Sequence, residues 1–131
     1  MSDTEKQAVS EAEEWLMSAK DKLALAESDD SAANVCCALA IHAIIRANDA
    51  LSLKFLQKKA TRHDDAAAML SEVLRQGKIG SENRRFIRLL QKAMSDKSGA
   101  DYGKRRFSYE DAKAYVDDAG EFVAAMKGCV R

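Results

Sequence analysis

Proline is absent from this chain of 131 residues, and glycine and aromatic residues are scarce, with six glycines and 6% aromatics. Without proline, nothing forces a break in a helix. The apolar residues, 47% of the chain, are carried by Ala and Leu rather than by the β-branched and aromatic residues that favour strands. The composition therefore predicts an all-α fold, and the length suits one domain that buries about two-thirds of its unfolded surface.

The chain also lacks a cysteine framework and a recognisable targeting segment. Its three cysteines, Cys36, Cys37 and Cys129, have neither disulfide-framework nor metal-ligand spacing. We therefore expect reduced thiols in a cytoplasmic protein, with no metal and no cofactor. The polar N-terminus does not resemble a signal peptide, and no apolar run approaches the ~18 residues of a membrane span. These absences predict a soluble protein without a membrane segment.

Charge is balanced overall but unevenly distributed along the chain. Basic and acidic residues number 21 each. Residues 1–30 contain nine acidic and three basic groups, whereas residues 84–106 contain eight basic and two acidic groups. This asymmetry predicts either an anionic ligand for the second segment or an electrostatic match between the two segments, within one chain or between subunits.

Hydrophobic periodicity divides the chain into five helices without a linker or repeat, so we expect a single antiparallel helical bundle over residues 1–131. We expect Trp15, the methionines and the aromatic stripe of the last helix to lie in the core. Ser31 is the expected N-cap of the second helix, and a capping-box-like stretch at 61–64 starts the third. The expected helices cover about 3–26, 31–57, 61 to Gly77–Gly80, 81–95 and 108–127, with a loop over 97–107.

The second of these helices is apolar on almost every side, which is typical of a buried helix. His42, Arg46 and Asp49 nevertheless follow one another at spacings of four and three, which places them on one stripe. Ionisable groups on a buried helix are costly unless they pair or line a cleft. Two interpretations are open: a polar site for a nucleotide, completed by Tyr102, or a structural network in which Arg46 pairs with Asp49 or with an acid of the first helix.

The basic segment, residues 84–106, is the second candidate site. In its fourth-helix part, the basic residues lie opposite the apolar side of the helix. Such a surface can follow a nucleic-acid backbone, with Tyr102, Phe107 and Tyr109 stacking on bases. The alternative is a solvated helix face, with Tyr109 in the core and Tyr102 anchoring the loop. The candidate phosphate-binding residues are Arg84, Arg85, Arg88, Lys92, Lys97, Lys104, Arg105 and Arg106.

Several stretches resemble the HEPN superfamily of small helical domains. They cover most of residues 31–126 in matching order. The resemblance implies an antiparallel bundle, frequently a homodimer, whose members bind RNA or nucleotides, cut RNA, or pair with a minimal nucleotidyltransferase in toxin–antitoxin modules. The similar stretches are 40–51, 62–70, the Asp-Tyr loop at 100–103, 107–114 and 119–123.

The chain departs from the motif of the RNA-cutting members, which is an Arg followed after four to six residues by a His. Lys97 stands at the position of the Arg and Tyr102 at that of the His. Arg62 and His63 are adjacent rather than spaced, so they do not replace the motif. A phenol with a pKa near 10 is a poor base at neutral pH, whereas an imidazole suits that role. Lys97 still suits phosphate binding, so we expect binding to persist and cleavage to be weak or absent.

Three hypotheses follow. The first, which we favour, is a non-cleaving HEPN-like module that binds RNA or a nucleotide phosphate through residues 84–106. The second is a protein-interaction module, either a homodimer or the partner of a nucleotidyltransferase. The third is a metal-independent ribonuclease in which His42 acts with Arg46 or Lys97. The sequence does not single out a catalytic residue. The candidates are His42, Arg46, Asp49, Lys97 and Tyr102.

Overall fold

The computed structural model describes residues 2–61 and 65–131, and within those ranges it contains five α-helices, one 3-10 turn and no strand. The prediction of an all-α helical bundle is confirmed. The predicted capping box at 61–64 includes Arg62, His63 and Asp64, which lie outside the described residues. The elements are α1 (Asp3–Ala26), α2 (Asp30–Leu56), α3 (Asp65–Arg75), the 3-10 turn (Ser81–Arg85), α4 (Phe86–Tyr102) and α5 (Tyr109–Val130).

Helix α2 is the centre of the bundle and packs against each of the other four helices. Its core-facing residues include Ile41, Ile44 and Leu51, all fully buried. By length and composition α2 could also cross a membrane, since the mean hydropathy of an 18-residue window reaches 1.3. However, 67% of that window is buried inside the bundle, which accounts for its apolar composition.

Helix α2 starts at Asp30, and its N-cap lies two residues before the expected N-cap at Ser31. Asp29 is the actual cap, because its carboxylate accepts hydrogen bonds from the backbone N–H groups of Ser31 and Ala32. Two other starts follow the capping-box pattern, with Ser2 at α1 and Ser108 at α5. The expected fourth helix starts differently as well, because residues 81–85 form a 3-10 turn before α4 begins at Phe86.

The expected loop over residues 97–107 is helical as far as Tyr102, so that prediction is wrong for its first half. Gly99, which favoured a loop, is tolerated inside α4 because the Cβ of Arg105 lies 3.0 Å from the place where a Cβ on residue 99 would stand. A Cβ at position 99 would therefore make an unusually tight contact, which favours glycine there. Helix α4 ends at Gly103, whose φ of 64° is the left-handed conformation of a helix C-cap.

Helix α5 continues past the expected stop at Lys127 and Gly128 to Val130. Val130 is fully buried, and its carbonyl accepts a hydrogen bond from the ammonium of Lys54 at 3.2 Å. Burial of the last side chain and the hydrogen bond to a terminal carbonyl both favour one more turn of helix. Tertiary contacts thus outweigh the local stop signal.

Three residues differ from their expected burial. Trp15 and Met17, expected in the core, are 39% and 58% exposed. Phe107, expected to be available for stacking on bases, is only 2% exposed and therefore belongs to the core. Tyr102 is 73% exposed, so it remains available on the surface.

Candidate functional site

The stripe on α2 faces both neighbouring helices, α1 and α4. The Nε2 atom of His42 lies 3.1 Å from Oδ1 of Asp101 on α4. On the other side, the His42 ring stacks on the Trp15 indole of α1, with ring centres 4.9 Å apart and an angle of 25°. The imidazole is about one-third exposed, at 32%, so it is both held in place and accessible to solvent.

Lys97 joins this cluster, because its ammonium lies 2.9 Å from the second carboxylate oxygen of Asp101, one turn along α4. Burial acts to raise the pKa of Asp101, but the hydrogen bond from Lys97 and the nearby charges of His42 and Lys97 outweigh it and hold the pKa below its usual value. Asp101 is therefore an anion at neutral pH that binds both residues and ties α4 to α2.

Arg46 lies one turn beyond His42 on α2 and bridges two carboxylates. Its Nε donates to Glu11 of α1 at 2.9 Å, and its Nη1 donates to Asp49 at 3.2 Å. Burial raises the pKa of Asp49 despite the hydrogen bond from Arg46, whereas the same guanidinium lowers the pKa of Glu11. The structure thus contains both of the Arg46 partners that the structural interpretation of the stripe predicted.

Lys97 and Tyr102, which stand where the Arg and the His of the HEPN cleavage motif would fall, lie on different sides of α4. Lys97 contacts Asp101, whereas the Tyr102 ring faces the Lys104 ammonium at 5.7 Å. A separation of five residues turns an α-helix by about 140°, so these side chains do not converge on one substrate atom. A site in which Tyr102 completes the α2 stripe therefore gains no support from the geometry.

A groove of about 350 Å³ opens between the start of α2 and the end of α4. Asp101, which contacts His42 and Lys97, also lines this groove. An exposed ion pair crosses the groove, with 3.2 Å between the Arg106 guanidinium and the Asp30 carboxylate. Asn34 anchors the chain after α4, since its side chain donates to the carbonyl of Arg105 and accepts from the N–H of Phe107. This groove is accordingly more polar and more cross-linked than a typical ligand pocket.

The second half of the basic segment, residues 97–106, is largely neutralised by carboxylates. Besides the pairs of Lys97 and Arg106, Arg105 pairs with Asp96, which is 8% exposed and also accepts a hydrogen bond from the Tyr115 hydroxyl. A buried carboxylate needs such donors to offset the cost of its desolvation. These cations therefore serve the fold.

The first half of the basic segment, residues 84–92, is less constrained. Arg84 and Arg88 are exposed and have neither a hydrogen-bond nor an ion-pair partner among the described residues. Arg85 pairs with Glu121 of α5 at 3.0 Å, where both side chains are about 60% exposed. Lys92 lies over the Tyr115 ring at 4.7 Å. Arg84 and Arg88 thus provide free positive charge in this row of cations, whereas in the second half only Lys104, which lies over the exposed Tyr102 ring, has no carboxylate partner among the described residues.

The expected match between the acidic residues 1–30 and the basic segment is realised within the chain by a single described ion pair, Asp30 with Arg106. The acids of α1 pair elsewhere, Glu11 with Arg46 and Glu13 with Lys127 of α5. The charge asymmetry of the sequence therefore does not arise from pairing of α1 with α4.

The sequence does not predict that Trp15 and Asp101 contact His42. Trp15 falls on the apolar face of α1, which predicts a core position, and Asp101 falls in the predicted loop. The spacing of four between Lys97 and Asp101, typical of a helical ion pair, was the available signal for the latter. Trp15 offered no local signal, because its position depends on how α1 packs beside α2.

In the described parts of the chain, the thiols and the carboxylates do not form a metal centre. Burial raises the pKa of Cys36 to about 11 and that of Cys37 to about 12, so both thiols are protonated and unreactive at neutral pH. Among the described residues, no three His, Cys, Asp or Glu side chains are grouped so as to hold a metal ion.

The fold and the polar surfaces define the class of protein as an all-α helical bundle with a buried central helix. No protein-family model matches the chain, and no curated protein matches it significantly in sequence. The HEPN resemblance therefore stays a prediction.

Proposed function

We propose that this chain is a non-cleaving helical module, similar to HEPN domains, that binds RNA or a nucleotide phosphate along the outer face of α4. The observation that carries the proposal is the pair of exposed arginines, Arg84 and Arg88, which have no ion-pair partner among the described residues. A guanidinium that is not engaged by the fold is available for a bidentate contact with a phosphate.

The spacing of the row suits a nucleic-acid backbone. Positions 84, 88 and 92 recur at intervals of four, so three cations extend over roughly 12 Å of one side of the chain. Tyr102 lies further along α4 and is 73% exposed, which leaves its ring free to stack on a base. Electrostatic contacts to the backbone plus one aromatic platform favour single-stranded RNA or a nucleotide over a duplex.

The other cations contribute less to this proposal. Lys97 and Arg105 are held by Asp101 and by the buried Asp96, so a phosphate would have to displace those carboxylates. The exposed pair of Arg106 and Asp30 is worth little to the fold and is easily exchanged, but it still leaves a competing negative charge beside any ligand. Lys104 is exposed and has no carboxylate partner among the described residues, but it is a single cation, so the proposal centres on residues 84–92 within the predicted segment 84–106.

The proposal is tested by binding of a fluorescein-labelled 12-nucleotide single-stranded RNA, measured by anisotropy over a series of salt concentrations. Arg84→Glu/Arg88→Glu is compared with Lys104→Glu/Arg106→Glu, which changes the charge of the same segment by the same amount. We expect the first variant to bind at least tenfold more weakly than wild type and to lose about 1.4 from the slope of log affinity against log salt. The second variant should lose clearly less.

Equal losses in the two variants would mean that binding depends only on net charge, and the assignment to residues 84–92 would be wrong. Absence of binding by the wild type at low salt would reject the nucleic-acid proposal altogether. The protein-interaction hypothesis, a homodimer or a partner for a nucleotidyltransferase, would then explain the chain better.

One observation favours a second candidate, metal-independent ribonuclease activity. His42 is hydrogen-bonded to Asp101 and lies beside Lys97, so an oriented imidazole and a cation share one carboxylate. An imidazole held by a carboxylate can take a proton from a ribose 2′-hydroxyl, and a lysine can stabilise charge on the phosphate. Incubation of the same RNA with wild type and His42→Ala, followed by a gel, tests this. Uncut RNA with wild type would eliminate the candidate.

A further inference from the structure

Helices α4 and α5 both pack against α2, and an open cleft of about 270 Å³ lies between them. Two apolar side chains, Phe86 and Leu89, line this α4–α5 cleft, and its other lining residues are all charged. The charges are sorted by side, because the cations belong to the 3-10 turn and α4 whereas the carboxylates belong to α5. The charged residues are Arg85, Arg88 and Lys92 on the first side and Asp118 and Glu121 on the second.

One charge on each side of the α4–α5 cleft is already paired. Arg85 donates to Glu121 at 3.0 Å, so these two side chains join the 3-10 turn to α5. Arg88 and Asp118, in contrast, have neither a hydrogen bond nor an ion pair among the described residues. An unpaired cation and an unpaired carboxylate therefore line the same small volume.

Asp118 is a carboxylate that folding partly removes from water. Burial raises its pKa, the ammonium of Lys92 opposes the rise, and the charges of Glu121 and Asp117 add to it. Desolvation without a hydrogen bond costs stability, and such a group in a cleft is a candidate for contact with a ligand. Asp118 is accordingly the hydrogen-bond acceptor that this cleft offers.

The two sides of the cleft select different parts of one ligand. A cation such as Arg88 binds a phosphate, whereas an ionised carboxylate repels it and accepts hydrogen bonds from hydroxyl or amino groups. A ligand that satisfies both sides therefore carries a phosphate and a nearby hydrogen-bond donor. In RNA the 2′-hydroxyl is such a donor, on the carbon next to the one that bears the 3′-phosphate, and DNA lacks it.

The size of the cleft favours the sugar over the base as the source of that donor. Pockets that enclose a whole small-molecule ligand have volumes of about 300–1,000 Å³, and this cleft is smaller, at about 270 Å³. It therefore suits one sugar with its phosphate, and the base stays outside.

We infer that Asp118 makes the α4–α5 cleft selective for RNA over DNA, by accepting a hydrogen bond from one ribose 2′-hydroxyl while Arg88 binds the adjoining phosphate. A bound 2′-hydroxyl satisfies the carboxylate, whereas a deoxyribose leaves it unsatisfied beside a phosphate of the same charge. The inference rests on the proposed function, since it uses the same arginine, but RNA binding by residues 84–92 does not require it.

The experiment measures, by anisotropy, how the full chain binds three fluorescein-labelled 12-nucleotide single strands with the same bases. The first is RNA, the second is its 2′-deoxy form with uracil retained, and the third is its 2′-O-methyl form, which keeps the 2′-oxygen but has no donor proton. Wild type is compared with Asp118→Ala, Asp118→Asn and the matched control Asp117→Ala, which removes an exposed carboxylate of α5 that does not line the cleft.

Wild type should bind RNA at least tenfold more tightly than either modified strand, because both lack the proton that the charged acceptor binds. Asp118→Ala should bind all three strands within about threefold of one another, since RNA loses a hydrogen bond and the modified strands lose a repulsive charge. Asp118→Asn, whose amide oxygen still accepts a hydrogen bond, should keep a reduced preference for RNA. Asp117→Ala should keep the full preference of wild type.

Equal affinity of wild type for RNA and for its 2′-deoxy form would overturn the inference and leave the proposed function intact. An undiminished preference for RNA in Asp118→Ala or Asp118→Asn, with the circular dichroism spectrum of wild type, would overturn it as well. Absence of binding to any of the strands would instead reject the proposed function, and the inference with it.

Discussion

The two halves of the basic segment have the same number of cations and opposite structural roles. Residues 84–92 and residues 97–106 each contain four basic residues. Among the described contacts, three cations of the second half are paired with carboxylates, but only Arg85 is paired in the first. Equal charge in the sequence therefore does not mean equal charge available to a ligand.

The difference arises from where each half lies. The first half lies on the solvent side of a helix whose apolar side is already packed, so two of its cations, Arg84 and Arg88, have no acidic partner among the described residues. The second half includes the end of α4 and the turn into α5, where the chain covers the buried carboxylate of Asp96 and inserts Phe107 into the core. There the cations compensate acids that folding removes from water.

The contrast predicts a large loss of stability for Phe107→Ala. The Phe107 ring is buried, packs edge-on to Tyr115 at 6.5 Å between centres and lies under the Arg105 guanidinium at 4.5 Å. Its removal should lower the free energy of unfolding by about 3–5 kcal/mol, measured by urea denaturation. The control is Tyr102→Ala, which removes an exposed aromatic ring five residues earlier and should change stability little. Similar losses in both variants would contradict the contrast.

A somewhat smaller loss is expected for Asp96→Ala. This substitution leaves the buried Tyr115 hydroxyl without its acceptor and should cost about 1–3 kcal/mol. Tyr115→Phe in the same background should restore part of the loss, because it removes the unsatisfied donor. Glu121→Ala, which breaks only the exposed pair with Arg85, should have little effect. If Asp96→Ala lowered the free energy of unfolding no more than Glu121→Ala does, the structural role proposed for the cations of residues 97–106 would be wrong.

Acid titration of stability should distinguish Asp101 from Asp118. The pKa of Asp101 is held low by Lys97 and His42 against the effect of burial. Its contribution to stability is therefore present above the unfolded pKa of about 3.9 and is lost as the pH falls through the lower folded pKa. Burial instead raises the pKa of Asp118, with Glu121 and Asp117 adding to the rise and Lys92 opposing it.

Urea denaturation between pH 6 and pH 3 measures this difference. Asp101→Asn should flatten the loss of stability on acidification, because the group that favours the folded state when ionised is gone. Asp118→Asn should steepen it, since protonation of the native Asp118 relieves an unfavourable charge as the pH falls. Identical pH profiles for the two variants would show that the ion pair of Lys97 with Asp101 is not maintained in solution.

The smallest expected effect is spectroscopic. Trp15 is the only tryptophan and stacks on His42, so the imidazole shields one face of the indole from solvent. His42→Ala should therefore expose that face and shift the emission maximum to longer wavelength. Lys97→Met, which removes the ammonium that contacts Asp101 without touching the stack, should leave the emission spectrum unchanged. An unchanged spectrum in His42→Ala would mean that the two rings are not in contact.

Much of the architecture was predictable because it is encoded by local periodicity. Five helices, the buried α2 and the pairing of Arg46 with Asp49 all follow from residue spacing within single segments. The errors fall where tertiary contacts override local signals: α4 continues through Gly99, against which Arg105 packs, and α5 continues past Gly128 to the buried Val130. Trp15 is on the surface because the His42 ring, rather than the core, covers one of its faces.

By itself, the sequence determined the helical class, the central helix and the presence of eight cations in one segment, because composition and a period of 3.6 residues act within a short stretch of chain. Which of those cations are free was decided only by the tertiary structure. Arg106 is neutralised by Asp30, 76 positions earlier, and outside that segment Arg46 is neutralised by Glu11, 35 positions earlier. Coulomb energy and desolvation depend on distances in the folded chain, and those distances are set by how the helices pack.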